Sequence, residues 1–156
     1  MNIVELKEQV KKTLLEYLDS KPEKEYMMYN VFHPNTEEHF NSIARDKGKH
    51  GGWVYVITSK DQKQVKIGYT ERNPVQRTKE VFPGSEVYIN AFLCLHNKAY
   101  LAERYIQRIL YSTGLQSKRK ELGGIKAHSG GSEIFDIKPR IACALVDEAV
   151  NDYVFT

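Results

Sequence analysis

A glutamate stands where a helix should be apolar. In "AYLAERYIQRIL" the residues Ala99, Ile106 and Leu110 lie at offsets of −4, +3 and +7 from Glu103, the spacing of one helical face. A carboxylate inside such a stripe either pairs with a basic side chain or binds a cation. Arg77, on the helix expected before it, is an available partner. A second anomaly sits in "VKIGYT", where Lys66 interrupts an apolar run and precedes Ile67-Gly68. Alternation along a strand makes Lys66 a solvent-facing residue. Yet Gly68 follows on the same face without a side chain, so something can approach the backbone closely there. Lys66 beside that opening can contact a phosphate or assist proton transfer. Glu133 in "GGSEIF" starts a strand after a glycine-rich stretch and, on pattern alone, is an ordinary strand-starting acid.

These residues need a frame. "WVYVITS" and "VKIGYT" are rich in β-branched and aromatic residues and flank the polar turn "KDQKQ", which predicts a hairpin. On it Val54 and Val56 face one way, and Trp53, Tyr55 and Ile57 the other; Val65, Ile67 and Tyr69 lie opposite Lys66 and Gly68. "NPVQRTKEV" opens with an asparagine cap and a proline at the first helical position. "EVYINAFLCL" predicts a third strand, and "NKAYLAERYIQRILYS" a helix ended near Gly114. A basic, loop-like stretch, "SKRKELGGIKAH", carries Lys118, Arg119, Lys120 and Lys126; "EIFDI" and "KPRIACALVDEAVNDYV" then predict a short strand and a closing helix. The order β-β-α-β-α-β-α has no regular βαβ alternation. It predicts an α+β domain with a small, mainly antiparallel β-sheet flanked by helices.

Upstream, Ile3, Leu6, Val10, Leu14 and Leu18 recur near helical spacing, and "NTEEHFNSIARD" predicts a second, shorter helix. "EYMMYNVF" between them is ambiguous, and "KGKHGG" reads as a joint. The expected division is a helical extension over residues 1–50 and a main domain over residues 51–156. The apolar stripe of the first helix either packs on its own domain or joins two copies as a homodimer. A chain of 156 residues, 41% hydrophobic, can bury one core, and a net charge of +3 permits a nucleic-acid partner without demanding one. Cys94 and Cys143 are far apart with no C-x-x-C spacing, which argues against a zinc knuckle and predicts buried free thiols in a reducing compartment. The charged N-terminus is not a signal sequence, and no apolar run nears the roughly 18 residues of a membrane span. A soluble, cytoplasmic protein is expected.

Taken in order, "WVYVITS", "VKIGYT", Arg77 in "NPVQR", Glu103 in "AYLAERYI" and "GSEIFDI" cover residues 52 to 137. In that order the chain resembles the GIY-YIG nuclease superfamily, and most closely its phage-T5-type branch, whose second motif is written V-K-I-G. The resemblance implies a metal-dependent DNA endonuclease that hydrolyses phosphodiester bonds with Mg²⁺ or Mn²⁺. It puts Tyr55 at the tyrosine of the first motif, Lys66 at that of the second, Arg77 at the family arginine and Glu103 at the metal-binding glutamate. Tyr69, Gln107 and Glu133 are supporting candidates, and Lys118, Arg119, Lys120 and Lys126 would hold DNA phosphates without regard to sequence. In-line hydrolysis needs an activated water, cations against the phosphorane-like charge and a stabilised leaving oxygen. Three positions depart from the pattern. Lys66 replaces a tyrosine, Gln107 stands where the branch often has histidine, and the closing asparagine has no counterpart, Glu133 lying in that part of the chain. The alternative implied is a catalytically weakened or inactive module of the same fold that binds nucleic acid or a protein.

Overall fold

The computed structural model describes residues 26–47, 52–94, 98–119, 121–127 and 133–152, with scattered positions between 2 and 16. The described elements run β1 (Tyr29–Asn30), α1 (Thr36–Lys47), β2 (Trp53–Thr58), β3 (Val65–Thr70), α2 (Pro74–Val81), β4 (Tyr88–Leu93), α3 (Ala99–Ser112), β5 (Glu121–Leu122), β6 (Ile125–Lys126), β7 (Ile134–Phe135) and α4 (Pro139–Asp152). Five strands form one antiparallel sheet in the order β1-β4-β2-β3-β7, and β5 pairs with β6 separately. This is the α+β architecture expected. Among the described residues no helix is long and apolar enough to cross a membrane.

The two central strands are buried throughout except at Tyr69, because helices cover both sides. Val54, Val56, Val65 and Ile67 point to one side and pack with Ala102, Ile106 and Leu110 of α3 and Cys143 and Val146 of α4. Trp53, Tyr55 and Ile57 point to the other, against Val75 and Val81 of α2, Phe40 of α1, and Phe82. Cys94 and Cys143 are buried free thiols, as expected. Burial alone raises the Cys94 thiol to about 11, so both sulfurs act as apolar filling rather than as nucleophiles.

Residues N-terminal to the expected joint share this core. Tyr29 pairs with Ile89 to add β1 at the sheet edge. Phe40 packs edge-to-face on Trp53 with ring centroids 5.5 Å apart. Positions 48–51 of that joint lie outside the described residues. The stripe Ile3, Leu6, Val10 and Leu14, expected either to pack on its own domain or to join two copies, also lies outside them; Leu15, which is described, packs on the α3–α4 core. The basic stretch is not a plain loop. Gly123 and Gly124 take φ of +56° and +86°, the paired positive values of a tight hairpin turn, and reverse β5 into β6. Strands of two residues leave no period to detect, which is why this hairpin and β1 were not legible.

Candidate active site

The hairpin brings the first pair together. Tyr55 is directly opposite Gly68, and Ile57 opposite Lys66, so Tyr55 and Lys66 emerge on one face two positions apart. A Cβ at residue 68 would come within 2.5 Å of Tyr55 Cζ. The close approach that Gly68 permits is therefore that of the Tyr55 ring, and not of an outside ligand. Lys66 is also not a solvent-facing lysine: it is 1% exposed. Its Nζ forms an ion pair with Glu133, the residue just before β7. β7 lies alongside β3 for Val65 and Lys66 only.

Where β7 stops, α3 takes over the edge of β3. Gln107 Nε2 donates to the Ile67 carbonyl at 3.1 Å, serving a backbone group just past the end of that ladder. One turn earlier on the helix, Glu103 is 4% exposed and hydrogen-bonded by the same Gln107 side chain. The stripe read from sequence is real, since Ala99, Ala102, Ile106 and Leu110 are all buried in the core beside it. The expected Glu103–Arg77 pair does not form. Arg77 Nη1 meets Glu80 at 3.1 Å and the guanidinium hydrogen-bonds Tyr55. Its position is set by the start of α2, where the Val75 N–H donates to Asn73 Oδ1 at 2.9 Å and Pro74 opens the helix.

β2, β3, α2, α3 and the residue just before β7 thus deliver Tyr55, Lys66, Arg77, Glu103 with Gln107, and Glu133 to one place, where neighbouring charges act on Tyr55, Lys66 and Glu103. Burial, then Glu133, raise the Tyr55 phenol to about 12 against the opposing pull of Arg77. Tyr55 is consequently a neutral hydrogen-bonding group at ordinary pH. Burial lowers the Lys66 ammonium, and Glu133 counteracts it. Burial works against the Arg77 charge too, but the hydrogen bonds to Glu80 and Tyr55 outweigh it. Glu103 is pushed up to about 7 by burial and by Glu133, with Lys66 and Arg104 opposing. It makes no ion pair among the described residues. A buried carboxylate so short of positive charge fits a hard divalent cation that keeps most of its waters. No group of three His, Cys, Asp or Glu among the described residues could make an all-protein metal cage.

Other expected residues are placed differently. Tyr69 lies on the opposite strand face, 39% exposed and edge-to-face with Tyr100 at 5.3 Å, outside the cluster. Lys118 and Arg119 are exposed and follow Ser117, whose N–H donates to the Ile134 carbonyl at 2.8 Å, so this basic segment begins beside Glu133. Lys126 is exposed on β6, across from Glu121, and Lys120 lies outside the described residues. Sequence reasoning missed Arg104, Arg108 and Tyr111, which with Gln107 and Glu133 line a groove of about 390 Å³ against the cluster. The available signal was their spacing on α3, because positions 104, 108 and 111 share a face next to Glu103.

A family match over most of the chain marks this α+β fold as a phage-associated, nuclease-like module. The chain belongs to the T5orf172 domain family, whose model matches residues 52–153. That family is a phage-T5-like domain related to GIY-YIG- and HNH-type nuclease-like modules. No curated protein and no solved structure matches the chain.

Proposed function

We propose that this protein is a metal-dependent DNA endonuclease that hydrolyses phosphodiester bonds through a GIY-YIG-type site. The supporting observation is the convergence of Tyr55, Lys66, Arg77 and Glu103 from four separate elements beside an open groove. Arg77 would meet non-bridging phosphate oxygens with its planar fork. Lys66, desolvated and fixed by Glu133, offers a positive charge that needs no reorganisation as charge grows on the phosphate. Tyr55, kept as a neutral phenol, donates a hydrogen bond to the attacking or leaving oxygen and does not act as a phenolate base. Glu103 would hold Mg²⁺ or Mn²⁺, steadied by Gln107, and the metal when bound would supply Lewis-acid stabilisation of the phosphate. Lys118, Arg119, Lys120 and Lys126 would add phosphate contacts that carry no sequence information.

Supercoiled plasmid incubated with the purified chain and Mg²⁺ or Mn²⁺ should be nicked, and Glu103→Ala should leave it intact. Equal nicking by wild type and variant would trace to a contaminant, and the reading would fail.

A second reading, a module that binds DNA without cutting it, is favoured by Gln107. Its amide is committed to the Ile67 carbonyl and to Glu103, so α3 offers no base where a histidine would provide one. That reading predicts salt-sensitive plasmid binding with no nicks in either metal.

A further inference from the structure

The outer face of α3 carries a second set of side chains beside the acidic one. At 3.6 residues per turn, Tyr100, Arg104, Arg108 and Tyr111 fall within an arc of about 80°, with Gln107 and Glu103 at its border. Tyr100 and Tyr111 are 45% and 40% exposed, and both arginines are exposed. The Arg104 guanidinium sits 5.7 Å from the centre of the Tyr100 ring, whose edge-to-face partner is Tyr69. Tyr111 leans on Phe135 with ring centroids 5.3 Å apart. Neither Arg104 nor Arg108 has an ion pair among the described residues, although exposed Arg45 and Arg72 each have one. Two guanidinium groups one turn apart, with no ion pair among the described residues and bracketed by exposed aromatic rings, do nothing for the core.

We infer that this face of α3 is a track for an unpaired DNA strand, with Arg104 and Arg108 holding neighbouring phosphates and Tyr100 and Tyr111 stacking bases at either end. Three observations carry it. The groove lined by Arg104, Arg108 and Tyr111 shares Gln107 and Glu133 with the cluster, so a strand held there runs into the site. The positive segment at Lys118 and Arg119 begins at the Glu133 end of that groove and continues its charge. The aromatic rings select the ligand: a duplex keeps its base faces stacked, whereas an unpaired strand presents them, and stacking on tyrosine is tolerant of sequence. The two tyrosines are eleven residues apart, roughly 16 Å along the helix axis at 1.5 Å per residue, which is room for a few nucleotides. The destination of the strand rests on the endonuclease reading, but its binding to α3 does not.

The test is metal-free binding, in EDTA, of fluorescein-labelled oligodeoxythymidylate and of a blunt duplex, followed by anisotropy over a range of salt. Wild type should bind the single strand more tightly than the duplex. Arg104→Gln/Arg108→Gln should weaken single-strand binding about tenfold or more and flatten the log–log salt slope by about 1.4, the share of two phosphates on a single strand. Tyr100→Leu should weaken it several-fold with the slope unchanged. Arg45→Gln, on α1, should change neither. Circular dichroism of each variant controls for folding, and these exposed positions should leave it intact. The track is overturned if the α3 variants bind as wild type does, if Arg45→Gln weakens binding equally, or if the duplex is preferred and Tyr100→Leu has no effect. Absence of plasmid nicking with these binding results intact would remove the endonuclease reading and leave the track standing.

Discussion

The two faces of the β2–β3 hairpin differ although their residues alternate along the same strands. Toward α3 and α4 stand Val54, Val56, Val65 and Ile67, fully buried among apolar neighbours. On the other face Tyr55 and Lys66 are as deeply buried, beside Trp53 and Ile57, and at Lys66 the burial takes in an ammonium whose carboxylate partner, Glu133, stays partly exposed. Removing water from apolar groups stabilises at roughly 25 cal/mol per Å². Removing it from charges costs several kcal/mol per ion, which their attraction repays only in part. Apolar residues on both faces hold the fold together, and the polar cluster at Tyr55, Lys66 and the sheet edge is set into that core at a cost in solvation. A period of two lets a hairpin confine such a cluster to one face at no cost in length.

Mutations in the apolar core and in the charged cluster should act in opposite ways. Ile106→Ala on the apolar side should lower unfolding free energy by about 2–5 kcal/mol, read by urea titration. If that loss falls below what a surface change gives, the α3 side does not hold the fold.

On the charged side the sign reverses. The Glu103 carboxyl titrates near 7 in the folded chain against a reference value of 4.5, so between those values the folded state binds more protons than the unfolded state. Stability in EDTA should then fall as pH rises across that window, by on the order of 3 kcal/mol. Glu103→Gln should flatten the profile and exceed wild type in stability at pH above the window, while losing nicking. A variant less stable than wild type there would mean that Glu103 helps to hold the fold. The smallest expected effect is at the boundary between the two roles. Gly68→Ala forces the Tyr55 ring to move and should cost about 1–3 kcal/mol, measured by thermal melting, together with a shift in tyrosine fluorescence. Unchanged melting would show that the ring has room to spare.

Much of this arrangement was legible because it follows local rules. Asn73-Pro74 marks a helix start, and alternating β-branched residues mark the hairpin, so the positions of Tyr55, Arg77 and Glu103 followed from elements with strong signals. What escaped depends on contacts distant in sequence. Lys66 is buried because Glu133, 67 residues later, meets it at the sheet edge. Gly68 looked like an entrance for a ligand because alternation shows which residues share a face and not which ring lies across them. Gln107 looked like a lost base, and its amide instead serves the Ile67 carbonyl, a debt that appears only once β7 is known to be short.

Asn73 reaches beyond its own helix. Its Nδ2 donates to the Glu37 carbonyl at 2.9 Å and to Asn41 Oδ1 at 2.8 Å, so α1 fixes the residue that starts α2 and hence the root of Arg77. The family match begins at residue 52, after α1 has ended. A fragment trimmed to that match would carry the motifs intact yet leave the Asn73 amide without both acceptors and Trp53 without Phe40. Portability of the module, for grafting onto another protein or for comparison between relatives, is therefore set by residues 26–47, which no motif marks.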